Sequence, residues 1–288
     1  MPRDSSELAA LRLQRVDGAA RLVYARREGG SYLSDLYQRA PCRVLFPTPD
    51  LGEPPQAVLL TTSGGLTGGD RLNIAISVGD GASATITSQA AEKLYRSVAG
   101  DCGVDISVSV GEGAWAEWLM QETILFNGAR LRRRTVLDVA PGGRLLAVES
   151  VVFGRTAMGE DFQSGFLLDG WRVRRAGRLI WADALRLKGD IVGERHRPFG
   201  FGGAVAAATV LYVADDADSH LDAARSLVNE TVNETPMEGG TTSFDGLLLI
   251  RLLSPDAAAL RRAVIHTAAG LRAAVGGLPA RLPRVWYC

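Results

Sequence analysis

Alternation of apolar and polar residues dominates the chain from about Gly18 to Val213. Leu72-Asn73-Ile74-Ala75-Ile76-Ser77-Val78 and Val104-Asp105-Ile106-Ser107-Val108-Ser109-Val110 show it most clearly. A strand sends successive side chains to opposite faces, so this period marks half-buried strands. Few stretches here could carry a long amphipathic helix. The turns that follow the strands also repeat. Val78-Gly79-Asp80-Gly81-Ala82 is echoed by Val110-Gly111-Glu112-Gly113-Ala114, and more loosely by Val139-Ala140-Pro141-Gly142-Gly143, at offsets of 32 and 29 residues. Such self-similarity predicts stacked β-coils or successive β-hairpin layers rather than strand–helix–strand units.

The pattern changes in the last quarter. Ser219 to Asn229 reads as a short helix with Leu221, Ala224, Leu227 and Val228 on one face. Phe244 to Leu253 reads as one nearly continuous apolar strand. Ser254-Pro255-Asp256 reads as a helix start, Ser254 capping and Pro255 in the first turn, where a missing N–H costs nothing. An alanine-rich helix then runs to about Val275 and stops at Gly276-Gly277. The tail Val285-Trp286-Tyr287-Cys288 is apolar and aromatic, and is expected to dock. The expected fold is mainly β, solenoid-like stacked strands with two α-helices near the C-terminus. It reads as a single domain over 1–288, β-rich over 18–213, with a helix–strand–helix unit and docked tail over 214–288.

Composition narrows the function classes. Among 288 residues, 32 basic side chains balance 32 acidic ones. That balance offers no electrostatic footprint for nucleic acid or an anionic membrane. No apolar run approaches the roughly 18 residues of a membrane span, and residues 1–27 contain no apolar signal-peptide core. A cytoplasmic location is therefore expected. Cys42, Cys102 and Cys288 are far apart and odd in number, so no disulfide framework is implied. The three histidines, His196, His220 and His266, show no metal-ligand spacing, and no stable metal site is expected. Nucleophile motifs of the G-x-S-x-G type are also absent.

The densest signal is Thr61-Thr62-Ser63-Gly64-Gly65-Leu66-Thr67-Gly68-Gly69-Asp70-Arg71, with four glycines in six positions. A phosphate-binding P-loop needs lysine after its last glycine and a helix behind it. Asp70 occupies that place, and a strand pattern follows. A close-packed turn explains the glycines but leaves Asp70 unassigned. Asp70, Glu117, Glu122 and Glu149 lie in or beside apolar segments, where an unpaired charge is expensive. Either arginines neutralise them or they line a polar interior path.

Further segments extend the picture. The glycine run resembles the T-S-G-G-x-x-G-G-D signature of the urease accessory protein UreD (UreH) family. Gln89-Ala90-Ala91-Glu92-Lys93-Leu94-Tyr95-Arg96-Ser97 resembles its Q-A-A-x-K-x-Y-R-S segment. Glu117 to Phe126 resembles its W-L-P-Q-E-T-I-L-F strand, with Met120 in place of proline. Phe153-Gly154-Arg155-Thr156-Ala157-Met158-Gly159-Glu160 and the ending Leu282-Pro283-Arg284-Val285-Trp286 fit as well.

This resemblance implies a non-enzymatic maturation factor with a β-helical fold. It implies partnership with a UreF-like protein, a UreG-like GTPase and apo-urease, and GTP-dependent nickel insertion in which the partner binds GTP. No cofactor is expected to be tightly bound, and nickel is transient. By position in the matched blocks, Asp70, Glu92, Lys93, Glu149 and Arg155 are the residues of an implied polar nickel passage. Ser63, Gly64, Gly65, Gly68, Gly69, Gln89, Tyr95, Arg96, Gln121 and Glu122 are the implied structural positions. Met120 is expected to be neutral, because proline would only remove one N–H donor. The alternative is a β-helical carbohydrate-active enzyme with Asp70 and Glu149 as paired carboxylates. Only 7% aromatic residues argue against a sugar-binding groove.

Overall fold

The computed structural model describes residues 15–197, 200–232 and 236–288. The chain enters through β1 (Asp17–Arg27), β2 (Gly30–Arg39), β3 (Cys42–Leu45) and β4 (Gln56–Thr61). Three coils of three strands follow. They are β5 (Arg71–Val78), β6 (Ser83–Ser88) and β7 (Glu92–Leu94); β8 (Cys102–Val110), β9 (Trp115–Leu119) and β10 (Thr123–Leu125); β11 (Arg130–Val139), β12 (Arg144–Arg155) and β13 (Glu160–Asp161). An antiparallel pair, β14 (Phe166–Arg175) and β15 (Arg178–Lys188), closes the stack.

The repeat in the sequence is the coil repeat. Val78, Val110 and Val139 stand side by side in parallel register, each ending its strand. Gly111 N donates to Val78 O at 2.8 Å and Ala140 N to Val110 O at 2.9 Å, so each turn sits on the previous one. One sheet runs β15-β14-β11-β8-β5-β1-β2, and the other runs β3-β4-β6-β9-β12 and continues beyond β12 into three later strands. The short β7 and β10 form a third side with the distal half of β12. A solenoid of stacked coils results, with Leu72, Ile76, Ile86, Val108, Trp118, Leu137 and Ala147 packed between its two sheets.

The central strands of the second sheet, β6, β9 and β12, are buried on both faces, so they read as apolar runs rather than alternation. After α1 (Ile191–His196), β16 (Ala206–Val213) pairs antiparallel with β12. Then come α2 (Leu221–Val232), β17 (Glu238–Phe244), β18 (Leu247–Ser254) and α3 (Ala257–Gly276). Leu260, Val264, Leu271 and Val275 of α3 pack with Trp115, Leu119 and Leu146 on the outer face of that sheet.

Two expectations change here. Phe244 to Leu253 is not one strand. Phe244 ends β17 and Leu247 begins β18, and Asp245-Gly246 turns between them with φ of 53° and 78°. The cap of α3 is Asp256, whose Oδ1 accepts from Ala258 N at 2.8 Å; Ser254 is instead the last residue of β18, its hydroxyl accepting from Asp256 N. The tail docks as expected. Trp286 is buried, its Nε1 donating to Thr87 Oγ1 at 3.1 Å. Among the described residues no helix is long and apolar enough to cross a membrane.

Candidate functional site

A cavity of about 340 Å³ lies between the two sheets. Register explains its shape. On the first sheet Leu72, Val104, Arg133 and Asp169 are successive partners on β5, β8, β11 and β14. Leu72, Val104 and Arg133 line the cavity. Arg133 points inward because Leu131, Arg133, Thr135 and Leu137 share the buried face of β11, whereas Arg132 and Arg134 are exposed. Glu149 sits on the inner face of β12 between Ala147 and Val151. The mouth is formed by Thr61, Gly64, Gly65, Gln89, Glu92 and Lys93, and the inner end by Trp118, Thr123, Arg133 and Glu149.

At that inner end the ionic groups are not evenly matched. Arg133 donates to both oxygens of Asp169, from Nε at 2.9 Å and Nη2 at 2.5 Å, and from Nη1 to Thr123 Oγ1 at 3.1 Å. Glu149 Oε1 accepts from Trp118 Nε1 at 3.1 Å and Thr135 Oγ1 at 3.2 Å. Its Oε2 lies 3.2 Å from Arg133 Nη2 without hydrogen-bond geometry, and no hydroxyl or N–H donates to it. Burial, reinforced by the nearby Asp169 charge and opposed by Arg133, pushes the Glu149 carboxyl up to about 7. Glu92, at the mouth, is also raised by burial and is opposed by a 2.9 Å hydrogen bond from Thr61. Burial holds Cys42, another lining residue, up to about 11, so it is a thiol rather than a thiolate at neutral pH.

Asp70 does not line the cavity. Its Oδ1 accepts from Val16 N at 2.9 Å and its Oδ2 from Thr67 N at 2.7 Å, so both oxygens are engaged in holding the glycine turn. Gly68 packs so tightly that a Cβ would come 2.5 Å from Gly100 O. A Cβ on Gly65, at φ 140°, would come 2.5 Å from the Tyr95 ring. Ser63 Oγ donates to Gly65 O, and Tyr95 OH donates to Gly64 O at 3.0 Å. Arg96 O accepts from Thr67 Oγ1 at 3.0 Å, joining the next segment to the same turn. Gly69 closes the turn with its N–H on Asp101 O.

The remaining positions also have defined places. Arg155 is exposed, paired with Glu160 and set over the Phe126 ring at 4.2 Å, away from the cavity lining. Glu122 accepts from Arg261 of α3 at 2.6 Å. Gln121 accepts from Arg261 and donates to Ser88 O and Val285 O, tying coil, helix and tail together. Glu117 faces α3 and is held by Arg272 Nε at 2.6 Å, with Glu53 on the same guanidinium. Met120 N donates to Val148 O at 3.2 Å, the bond a proline would forgo. Of the acids in apolar segments, arginines neutralise Glu117 and Glu122, the backbone takes Asp70, and Glu149 alone reaches the cavity. Among the described residues no three His, Cys, Asp or Glu side chains converge to hold a metal ion.

Arg133 and Asp169 are functional candidates that sequence reasoning missed. Strand parity was the available signal, masked by the run Arg132-Arg133-Arg134.

The profile of the UreD urease accessory protein family matches residues 16–287. The urease accessory protein UreD of Magnetococcus marinus is 42% identical over 274 residues, covering 95% of this chain and 94% of that protein. Urease accessory protein UreD 1 of Brucella ovis is 41% identical over 287 residues, 98% of each. UreD of a Methylobacterium species is 42% identical over 277 residues, 96% of each. The chain belongs to the UreD urease accessory protein family.

Proposed function

We propose that this chain is a non-catalytic scaffold and conduit through which nickel passes on its way into apo-urease. The role in urease maturation follows from family membership. In this reading a UreF-like protein and a UreG-like GTPase assemble on the chain in the cytoplasm. The GTPase binds GTP, and nickel is cargo rather than a resident cofactor. The observation that carries the reading is the cavity lined by Glu92 at the mouth and by Glu149 at the inner end, where one Glu149 oxygen faces Arg133 and accepts no hydrogen bond. Its polar stripe offers oxygen donors from Thr61, Glu92, Thr123 and Glu149. Isolated oxygen ligands and water hold a first-row divalent ion weakly, whereas thiolate or imidazole clusters would retain it. Among the described residues Cys42 stands in the lining without a second thiol or an imidazole, so it builds no such cluster.

The paired-carboxylate enzyme reading draws no comparable support. It asks for two carboxyls facing one groove, and both Asp70 oxygens are bound by backbone N–H groups outside the cavity. The test is co-expression of apo-urease with UreF-like and UreG-like proteins, with and without this chain, scored for nickel-dependent urease activity and for a recovered complex. Activation only when the chain is present supports the reading. Full activation without it, and no complex, overturns it.

A further inference from the structure

Resting on the proposed passage, we propose that Arg133 keeps Glu149 a point of transit by setting a fixed positive charge beside the Glu149 oxygen that accepts no hydrogen bond. Arg133 is thus a positioning residue, acting on the cargo through Glu149.

A purely structural ion pair would be expected to saturate both carboxylates. Here the hydrogen bonds are divided unequally. Arg133 is the direct register partner of Asp169 and gives it two hydrogen bonds, with a third going to Thr123. The guanidinium is therefore anchored without Glu149. Trp118 and Thr135 fix Glu149 through Oε1, leaving Oε2 buried, undonated and 3.2 Å from the guanidinium. A cation reaching Oε2 meets a positive charge that is held in place. Repulsion between charges at this range is large in a partly desolvated site. It subtracts from the attraction of Glu149 without removing the oxygen ligand, so a cation can be received and then released. Asp169 moderates the effect by neutralising part of the arginine charge.

Removing Arg133 would also favour a proton on Glu149. A divalent ion gains about twice as much as a monovalent proton from the loss of the same repulsion, so the preference for tighter metal binding survives competition.

The test is titration of the full-length chain with nickel ions, by calorimetry or by competition with a metal-responsive dye, alongside urease activation in the complete system. Arg133→Met is expected to bind nickel at least about tenfold more tightly than wild type and to deliver it poorly. Arg133→Lys, which keeps the charge, is expected to restore wild-type affinity, a rescue that a purely packing role does not predict. Asp169→Asn leaves the arginine charge unneutralised and is expected to bind several-fold more weakly; it decides the matter alone if Arg133→Met does not fold. Adding Arg133→Met to Glu149→Gln is expected to change nothing further. Unchanged nickel affinity in both Arg133→Met and Asp169→Asn, with Glu149→Gln still impairing binding and activation, would overturn the role of Arg133 and leave the passage standing. Wild-type binding and activation in Glu149→Gln would overturn both.

Discussion

Replacing Glu149 with glutamine should flatten the dependence of stability on pH. The carboxyl is buried among Trp118, Thr135 and Arg133, and its pKa rises from an ordinary 4.5 to about 7. At about 1.4 kcal/mol for each tenfold in proton affinity, this corresponds to about 3 kcal/mol. The sign follows from which state holds the proton. Between about pH 4.5 and 7 the unfolded chain has released it while the folded protein retains it. Each rise in pH then lowers stability, and the loss is complete above 7. Wild type should forfeit about 2 to 3 kcal/mol between pH 5 and 8 through this group alone. Glutamine mimics the neutral form and forfeits none of it. The other buried acids with raised values, Glu92 and Glu117, are common to both proteins and cancel in the comparison. Urea denaturation of both proteins at pH 5 and pH 8 measures the difference. A mutant curve parallel to wild type within about 0.5 kcal/mol would refute the burial and electrostatics assigned to Glu149.

Three further substitutions probe the frame that holds the cavity. Arg272→Met removes the cation shared by Glu117 and Glu53 and by the carbonyls of Pro279 and Arg281; breaking a buried pair from one side should cost about 3 to 5 kcal/mol in urea denaturation. Gly68→Ala forces a Cβ against Gly100 O and should cost about 1 to 3 kcal/mol, read as a lower thermal midpoint. Trp286→Ala empties the tail's buried anchor and removes the indole donor to Thr87; a loss of about 3 to 5 kcal/mol is expected, with a changed near-ultraviolet circular dichroism signal.

The parts of the fold legible in the sequence were those written in local periodicity. The Val78, Val110 and Val139 turns repeat because consecutive coils lie in register, so a sequence echo and a backbone hydrogen bond report the same stacking. The tail and α3 announced themselves through aromatic and alanine content. The β17–β18 hairpin escaped because apolar residues run through Phe244 and resume at Leu247. The Asp245-Gly246 pair between them is a strong hairpin signal in its own right. The cap of α3 went to Ser254 rather than Asp256 because both are capping residue types, and only β18 pairing decides which is free.

The candidate site was less legible. Glu149 stood out as an acid in an apolar strand. Its partners are distant in sequence, and Asp169 meets Arg133 only through parallel register. Asp70 looked equally promising, because a sequence does not reveal that backbone N–H groups from Val16 and Thr67 occupy both its oxygens.

The most direct test of the conduit is a protein whose cavity is narrowed from its wall while its surface is unchanged. Val104 lines the wall beside Arg133, and Val104→Phe would project a ring into the space at a folding cost of about 1 to 3 kcal/mol. Nickel-dependent urease activation should be measured for this variant in the complete system, with complex formation followed by pull-down. An intact complex and strongly reduced activation are expected. Full activation in Val104→Phe, with the ring lodged in the cavity, would contradict the conduit.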